Sequence, residues 1–148
     1  MIIKRYVYLA GAVEIEDTWR MVATEKLAKI GFIAINPIRN EKLKSIGKHI
    51  KSETPDRLTV TRDLNDLNQI KLSGGLIIAN LNTTKEGRRP CATLMEIFWA
   101  WTNQVPIIGV IGKSCEPILK YHPWLKVMVS AEVSSIEKAI DLIQEYFA

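Results

Sequence analysis

One carboxylate in this sequence occupies a place where parallel-sheet proteins often carry out chemistry. Glu96 follows a short apolar stretch, residues 76–81, that is typical of a buried strand, and it lies within a helical pattern that begins after a polar loop. This order places Glu96 in the first turn of a helix, beyond the carboxyl end of a central strand, where open α/β sheets bind ligands. The helix dipole there favours the ionised carboxylate. An ionised, positioned carboxylate can act as a nucleophile toward a sugar carbon.

The same residues also fit a purely structural role. Thr93 and Glu96 have the spacing of a capping box, in which the threonine caps the helix and the glutamate binds back to the cap amide. From this motif alone the capping box is the better interpretation, because capping boxes are common helix starts.

The composition limits the class of protein. The 148 residues predict a single domain, 1–148, and 47% hydrophobic with 24% charged residues is ordinary for a globular chain. No apolar run is long enough for a membrane span, and two cysteines give no disulfide framework. Isolated histidines provide no zinc spacing, and the scattered charge of +4 contains no nucleic-acid motif. We therefore expect a cytoplasmic protein without metal or cofactor, and no membrane or nucleic-acid polymer as partner.

Strand and helix patterns alternate along the chain, which predicts an α/β fold. The predicted strands are residues 2–10, 32–36, 76–81, 105–111 and 125–129. The predicted helices begin at a cap on Asp17, at Pro55, near Thr93, and at a capping box formed by Ser134 and Glu137. The polar, lysine-rich residues 38–56 predict a long loop with one short helix. Apolar strands covered by helices indicate a parallel sheet, of which a five-stranded doubly wound sheet is the simplest form.

Several polar segments converge on one end of such a sheet. The first strand ends at Gly11, the third ends at Asn80 and Asn82, and the following helix carries Thr93 and Glu96. The helix before the third strand carries Asp63 and Asp66, which share a face because they are three residues apart.

These segments resemble the nucleoside 2-deoxyribosyltransferase family. The resemblance lies in four stretches that together span roughly residues 6 to 110 in the order of the family. They are Tyr8-Leu9-Ala10-Gly11, Asn36-Pro37, residues 62–71 (RDLNDLNQIK) before the third strand, and Thr93-Leu94-Met95-Glu96-Ile97 followed by residues 105–108.

The resemblance implies a flavodoxin-like fold and cleavage of the N-glycosidic bond of 2′-deoxynucleosides. It implies that Glu96 attacks the anomeric carbon to form a covalent deoxyribosyl intermediate, and that the hydroxyl of Tyr8 orients this carboxylate. It assigns base contact and proton donation to an aspartate of the preceding helix, for which we favour Asp66 over Asp63. The expected substrate contacts are Asp63, Gly11, Asn80, Asn82, Ala92, Thr93 and Arg88.

The sequence departs from the family pattern at three places. Ala92 stands where the family usually has glycine, and Gly74 and Gly75 stand where many members have an aspartate. Asn80 and Asn82 are the nearest polar residues where several members bind a sugar hydroxyl through an aspartate. Asparagine can still donate and accept hydrogen bonds there.

Three functions remain open from the sequence. The first is a transferase that moves deoxyribose between nucleobases, which the resemblance favours. The second is a hydrolase of 2′-deoxynucleoside 5′-monophosphates, which the basic loop 85–89 would suit because arginine recognises phosphate. The third is a nucleotide-binding module without turnover. The resemblance also implies a homo-oligomer. The four tryptophans are better interpreted as core or subunit-interface anchors than as platforms for base stacking.

Overall fold

The computed structural model describes residues 4–15, 18–47 and 49–148. The strands are β1 (Arg5–Gly11), β2 (Phe32–Ile35), β3 (Leu43–Ile46), β4 (His49–Ser52), β5 (Leu76–Asn80), β6 (Ile107–Val110) and β7 (Ala131–Val133). The helices are α1 (Thr18–Lys29), α2 (Asp56–Ser73), α3 (Cys91–Thr102), α4 (Pro117–Lys120), α5 (Pro123–Met128) and α6 (Ile136–Tyr146). The start of the predicted first strand and the predicted cap Asp17 lie outside the described residues. None of the helices described is long and apolar enough to cross a membrane.

Five strands form one parallel sheet in the order β2-β1-β5-β6-β7. Counted along the chain without the β3–β4 hairpin, this is the 2-1-3-4-5 order of flavodoxin-like folds. The predicted fold class is therefore confirmed. In this topology the chain passes from β1 to β2 on one side of β1, and then returns to β5 on the other side of β1. A crevice opens between the carboxyl ends of these two strands.

Two apolar layers cover the sheet, one on each face. Alternate residues of β1 point to opposite faces, so Val7 and Leu9 pack with α1 and α6, whereas Tyr8 and Ala10 pack on the side of α2, α3 and α5. All four side chains are fully buried. This alternation directs Tyr8 toward the helix that carries Glu96.

The backbone conformation and the close strand packing before β5 favour glycine at positions 74 and 75. Gly74 ends α2 in the left-handed conformation, with φ of 67°, and its backbone N–H bonds to the last carbonyls of the helix. A Cβ on Gly75 would lie 2.0 Å from the carbonyl oxygen of Tyr6 in the neighbouring strand. A side chain at this position in this chain would push β1 and β5 apart.

The predicted loop over residues 38–56 contains a β-hairpin instead of a short helix. Strands β3 and β4 pair antiparallel, from Leu43 with Ser52 to Ile46 with His49, and they form a sheet of their own. Most of their side chains are exposed or only half-buried. Because neither face enters the core, the segment lacks the apolar alternation by which a strand is predicted from sequence.

The C-terminal third differs from the prediction in two places. The predicted fifth strand, residues 125–129, is mostly the helix α5, and the fifth strand is β7. His122 caps α5 by accepting a hydrogen bond from Trp124 N–H at 3.2 Å, and Pro123 opens its first turn. The last helix is capped by Ser135, which accepts from Lys138 N–H at 3.2 Å, so the predicted pair of Ser134 and Glu137 is off by one residue.

Helix α3 begins two residues earlier than predicted. It starts at Cys91, so Thr93 lies inside the first turn and Glu96 is the sixth helical residue, in the second turn. No side chain caps this helix, and the Thr93 hydroxyl is buried without a hydrogen-bond partner in the part of the chain described. The capping box is therefore wrong, and Glu96 has no part in starting the helix.

Candidate active site

A cavity of about 240 Å³ lies at the carboxyl end of β1, where α2, α3 and the β3–β4 hairpin also line it. Three of its lining residues come from the elements predicted to converge, namely Tyr8 from β1, Asp63 from α2 and Glu96 from α3. Gly11 and Ala92 also line it. The structure thus brings together five of the ten predicted site residues around one space.

Glu96 is half-buried in this cavity, and its neighbours perturb its ionisation. Burial raises the pKa of its carboxyl to about 7, and the charges of Asp63 and Asp66 add to this rise. Interaction with the Tyr8 hydroxyl and with the Arg20 charge opposes it. The expectation that the helix dipole favours the ionised form is wrong, because the dipole acts mainly on the first turn and desolvation is the larger effect here.

The Tyr8 hydroxyl is buried beside the carboxylates, and burial together with the negative charge of Glu96 raises its pKa well above the usual range. Tyr8 is therefore a neutral donor at every physiological pH. Its hydroxyl has no hydrogen bond of full geometry in the conformation described, although it is close enough to Glu96 to affect that carboxyl. A neutral hydroxyl beside Glu96 is suited to orient that carboxylate.

Asp63 is the second carboxyl in the cavity. It is half-buried, and burial raises its pKa to about 6, with the charge of Asp66 raising it further and that of Arg62 lowering it. A carboxyl with this pKa is about half protonated at pH 6 and about one tenth protonated at pH 7, and its protonated form can donate. Asp63 therefore has the position and the acidity of a general acid.

The Asp66 carboxylate forms an ion pair with Arg39. Arg39 Nη1 donates to its Oδ2 at 2.8 Å and Nη2 donates to its Oδ1 at 2.9 Å, which is a bidentate pair. The Asp66 side chain is only 8% exposed and does not line the cavity. Of the two candidate aspartates, Asp63 is the one whose carboxyl faces the space where a substrate would bind.

Arg20 is not among the predicted site residues, but it lines the cavity and holds the backbone at the end of β1 in place. It is buried, and it donates to the carbonyl oxygens of Leu9 at 3.0 Å, Gly11 at 2.9 Å and Ala12 at 3.4 Å. It thereby holds the turn after β1, where a Cβ on Gly11 would lie 2.8 Å from the Trp19 ring. The signal in the sequence is its helical spacing with the buried Ala23 and Leu27, which puts a cation on the core face of α1.

Three other predicted contacts have structural roles among the described residues. Asn80 Oδ1 accepts from Asn82 N–H at 3.1 Å and from Asn82 Nδ2 at 3.0 Å. Asn82 Oδ1 in turn accepts from Gly112 N–H at 2.8 Å. These bonds join the ends of β5 and β6, and Thr93 is fully buried within α3. None of the three lines the cavity.

Arg88 lies in a separate groove. Its guanidinium pairs with Glu86 at 3.1 Å, and the groove, of about 550 Å³, is also lined by His49, Arg89 and Cys91. Arg89 pairs in addition with Glu116 at 2.6 Å. Val13 and Ile50 line both this groove and the cavity of Glu96, so the two spaces are neighbours.

Further cavity residues come from the segment that the sequence presented as a loop. Glu41 and Arg62 form an ion pair at its edge, and Leu43 and Ile50 of the hairpin form part of its wall. Glu41 is the first acidic residue of the lysine-rich segment 38–56, and this is the one signal in the sequence that points to it. The residues described contain no group of three or more metal-ligating side chains.

Comparison with known proteins gives matches at the level of structure only, because no family model and no curated protein sequence matches the chain. A conserved protein from Enterococcus faecalis V583 superposes with a TM-score of 0.66 at 13% identity, covering 96% of this chain and 98% of its own. The 2-deoxyribosyltransferase from Bacillus psychrosaccharolyticus gives 0.59 at 17% identity, with coverages of 92% and 90%. The 2-desoxiribosyltransferase from Leishmania mexicana gives 0.61 at 12% identity, with coverages of 97% and 99%.

This chain has the fold of the 2-deoxyribosyltransferases. The matches support the family resemblance seen in the sequence, and at these identities they establish the architecture. Both named enzymes match over at least nine tenths of either chain, so the deoxyribosyltransferase fold accounts for the whole domain.

The raised pKa of Glu96 makes a prediction about stability. A carboxyl that ionises at pH 4.5 when unfolded and at about 7 when folded costs stability once the pH exceeds both values. Glu96→Gln should therefore stabilise the protein by about 1 to 3 kcal/mol at pH 8, and by less than about 1 kcal/mol at pH 5. Urea unfolding at the two pH values measures this, with the exposed Glu145→Gln as control. Destabilisation by Glu96→Gln at pH 8 would show that the carboxylate supports the fold instead.

Proposed function

We propose that this protein is a nucleoside 2-deoxyribosyltransferase that cleaves the N-glycosidic bond of 2′-deoxynucleosides. The observation that carries the proposal is one cavity, at the carboxyl end of β1, in which two carboxyls with raised pKa values and a buried phenol meet. Perturbed titratable groups gathered in a crevice are typical of catalytic sites. The sequence resemblance and the shared fold supply the substrate class.

The proposed reaction is a double displacement at the anomeric carbon. A carboxylate oxygen of Glu96 bonds to C1′ while the bond from C1′ to the base nitrogen breaks and its electron pair passes to the base. Asp63 donates a proton to the departing base. In the second half, a ring nitrogen of another base bonds to C1′, Glu96 leaves as carboxylate, and Asp63 takes up the proton that this base releases. The configuration at C1′ is retained after two displacements.

The electrostatics of the cavity determine how much of the protein is in the reactive protonation state. The reaction needs Glu96 ionised and Asp63 protonated. Between about pH 6 and 7 the pair holds one proton, which lies mostly on Glu96 because its pKa is the higher, so the reactive form is the less populated of the two arrangements. Tyr8 contributes a neutral hydroxyl that can bond to the ionised form of Glu96 and position it for attack.

A second candidate is hydrolysis of 2′-deoxynucleoside 5′-monophosphates. The observation in its favour is the groove that carries Arg88 and Arg89, because it shares Val13 and Ile50 with the cavity and could receive a 5′-phosphate. Both arginines already pair with glutamates, Glu86 and Glu116, so phosphate would have to compete with them. We therefore rank the unphosphorylated donor first.

We further propose that the protein is a homo-oligomer, as the resemblance implies. The outer surfaces of α3 and α5 carry exposed aromatic side chains, with Trp101 45% and Trp124 60% exposed. The rings of Phe98 and Trp124 lie 6.3 Å apart, and an apolar depression of about 590 Å³ adjoins them. Exposed apolar surface of this kind, on the helix that also carries Glu96, is suited to contact with a second copy.

The proposed activity predicts base exchange that depends on Glu96. With deoxyinosine plus adenine, and with thymidine plus cytosine, the wild-type protein should form the exchanged nucleosides in at least one pair. Glu96→Gln should reduce the rate by at least about 10³-fold while remaining folded. Mass spectrometry of quenched wild-type protein should find deoxyribose on Glu96, which a binding module would lack.

The same assay separates the alternatives. If no deoxynucleoside in a broad panel reacts, the proposed transferase activity is contradicted. Release of free base from monophosphates without transfer, slowed by Arg88→Ala with Arg89→Ala, would favour the hydrolase.

The shared proton predicts a particular pH dependence. In the wild type kcat/KM should rise with pH near 6 and fall near 7, because only the singly protonated pair reacts. Asp63→Asn should lose the falling limb and ionise Glu96 at lower pH, since a negative neighbour is gone, with the rate reduced about 10²- to 10⁴-fold. If the falling limb survives in Asp63→Asn and disappears in Asp66→Asn, the proton comes from Asp66.

The oligomer predicts a mass above the 16.8 kDa of one chain in light scattering. Trp101→Glu with Trp124→Glu should shift the protein to the monomer mass, because two charges would be buried in the interface. Tyr146→Glu, on the exposed surface of α6, is the matched control and should leave the mass unchanged. A monomeric wild type would refute the proposal.

A further inference from the structure

The β3–β4 hairpin forms one wall of the cavity that contains Glu96. Leu43 and Ile50 contribute apolar side chains to this wall, whereas Glu96 and Asp63 lie among the polar residues that line the same space. A cavity with apolar and acidic linings fits a planar heteroaromatic ring, which has apolar faces and a polar edge. Of the proposed substrate, only the nucleobase has this character.

The hairpin cannot hold this position by itself. It is not part of the five-stranded sheet, and its strand residues are mostly exposed. A two-stranded hairpin alone is at best marginally stable in water. Its position over the cavity must therefore come from contacts at its base, where the chain enters at Lys42 and leaves at Glu53.

A buried carboxylate provides this contact. The Glu41 side chain is 3% exposed, accepts hydrogen bonds from the hydroxyls of Ser52 and Thr54, the latter at 2.9 Å, and forms an ion pair with Arg62 of α2. Burial alone would raise its pKa, but these hydroxyls and the Arg62 charge hold the pKa of Glu41 below its usual value. Glu41 thus remains ionised at neutral pH and ties both ends of the hairpin to one helix.

A second ion pair reinforces this attachment, and here α2 supplies the acidic residue and the segment before the hairpin supplies the basic one. Arg39, two residues before Glu41, binds Asp66 through both guanidinium nitrogens, and Asp66 is one helical turn beyond Arg62. Arg62 also donates to the carbonyl oxygen of Pro37. Residues 37–41 are consequently fixed along the same α2 surface from which Asp63 projects into the cavity. The hairpin wall and the proposed acid therefore share one support.

We propose that the β3–β4 hairpin is the wall that selects the nucleobase, and that Glu41 is the positioning residue that holds it in place. The inference rests on the proposed function and adds the part of the molecule that determines base preference. Leu43 and Ile50 pack on a face of the base, while Glu96 acts on the sugar and Asp63 meets the base at its polar edge. Glu41 affects the reaction only through the location of the hairpin.

The first test measures donor preference with wall variants. Leu43→Ala and Ile50→Ala should each change the ratio of kcat/KM between purine and pyrimidine deoxynucleosides by about tenfold. Ile46→Ala is the matched control, because Ile46 belongs to the same hairpin but is exposed outside the cavity, and it should leave the ratio unchanged. An active wild type with the same ratio in all three variants overturns the hairpin proposal and leaves the transferase standing. If the wild-type protein reacts with no donor, both the hairpin proposal and the proposed transferase activity are contradicted.

The second test addresses Glu41. Glu41→Gln should raise KM about tenfold with kcat changed less than about threefold, because the wall moves while Glu96 and Asp63 remain. Hydrogen exchange of backbone amides in residues 43–52 should become faster in this variant, and amides of β1 and β5 should keep their protection. The exposed Glu53→Gln is the control for both readouts. Unchanged KM, or unchanged exchange in the hairpin, overturns the role of Glu41.

Discussion

The close parallel pairing of β1 and β5 is the constraint on which the rest of this structure depends. The two strands are buried on both faces, with residues 7 to 11 in register with residues 76 to 80, and Gly75 lets them approach without a side chain between them. The chain runs from β1 toward one edge of the sheet and from β5 toward the other edge. A crevice that can bind a ligand therefore opens at the carboxyl ends of these two strands. The register also determines that Tyr8 faces α2 and α3, so the phenol and the carboxylates meet there.

Four carboxyl and three cationic side chains line the cavity. The charges of Asp63 and Asp66 raise the pKa of Glu96, and the charge of Asp66 also raises the pKa of Asp63, whereas Asp66 itself forms a bidentate pair with Arg39. This distribution separates two kinds of carboxyl on one helix. The carboxylate paired with Arg39 supports the structure, and Asp63, one turn earlier, faces the cavity with a raised pKa. The same residue type at a spacing of three therefore has two physical roles.

The sequence predicted the parts of the molecule whose physics is local or repetitive. Apolar stretches such as residues 76–81 predict the sheet, and the segments around Tyr8, Asp63 and Glu96 predict five of the eighteen residues that line the cavity. The hairpin is not predicted because its strands bury neither face, and residues 125–129 wrongly predict a strand because a short apolar run fits either element. The choice between Asp63 and Asp66 depends on Arg39, which lies 27 residues before Asp66 and contacts it only in the folded chain. Arg20 and Glu41 escaped notice for the same reason, since their partners are distant carbonyls, hydroxyls and charges.

The separation of the hairpin from the main sheet has a consequence for how such a chain can change. A single backbone hydrogen bond of 2.8 Å, from Glu53 N–H to the carbonyl oxygen of Lys42, closes the base of the hairpin, and no strand of the large sheet pairs with it. Insertions, deletions or a grafted turn between these two residues would leave the core packing and the carboxyl pair untouched. The hairpin is thus an exchangeable module on a fixed reaction centre. Related chains could diverge in ligand size at this segment alone while preserving every residue that forms the sheet.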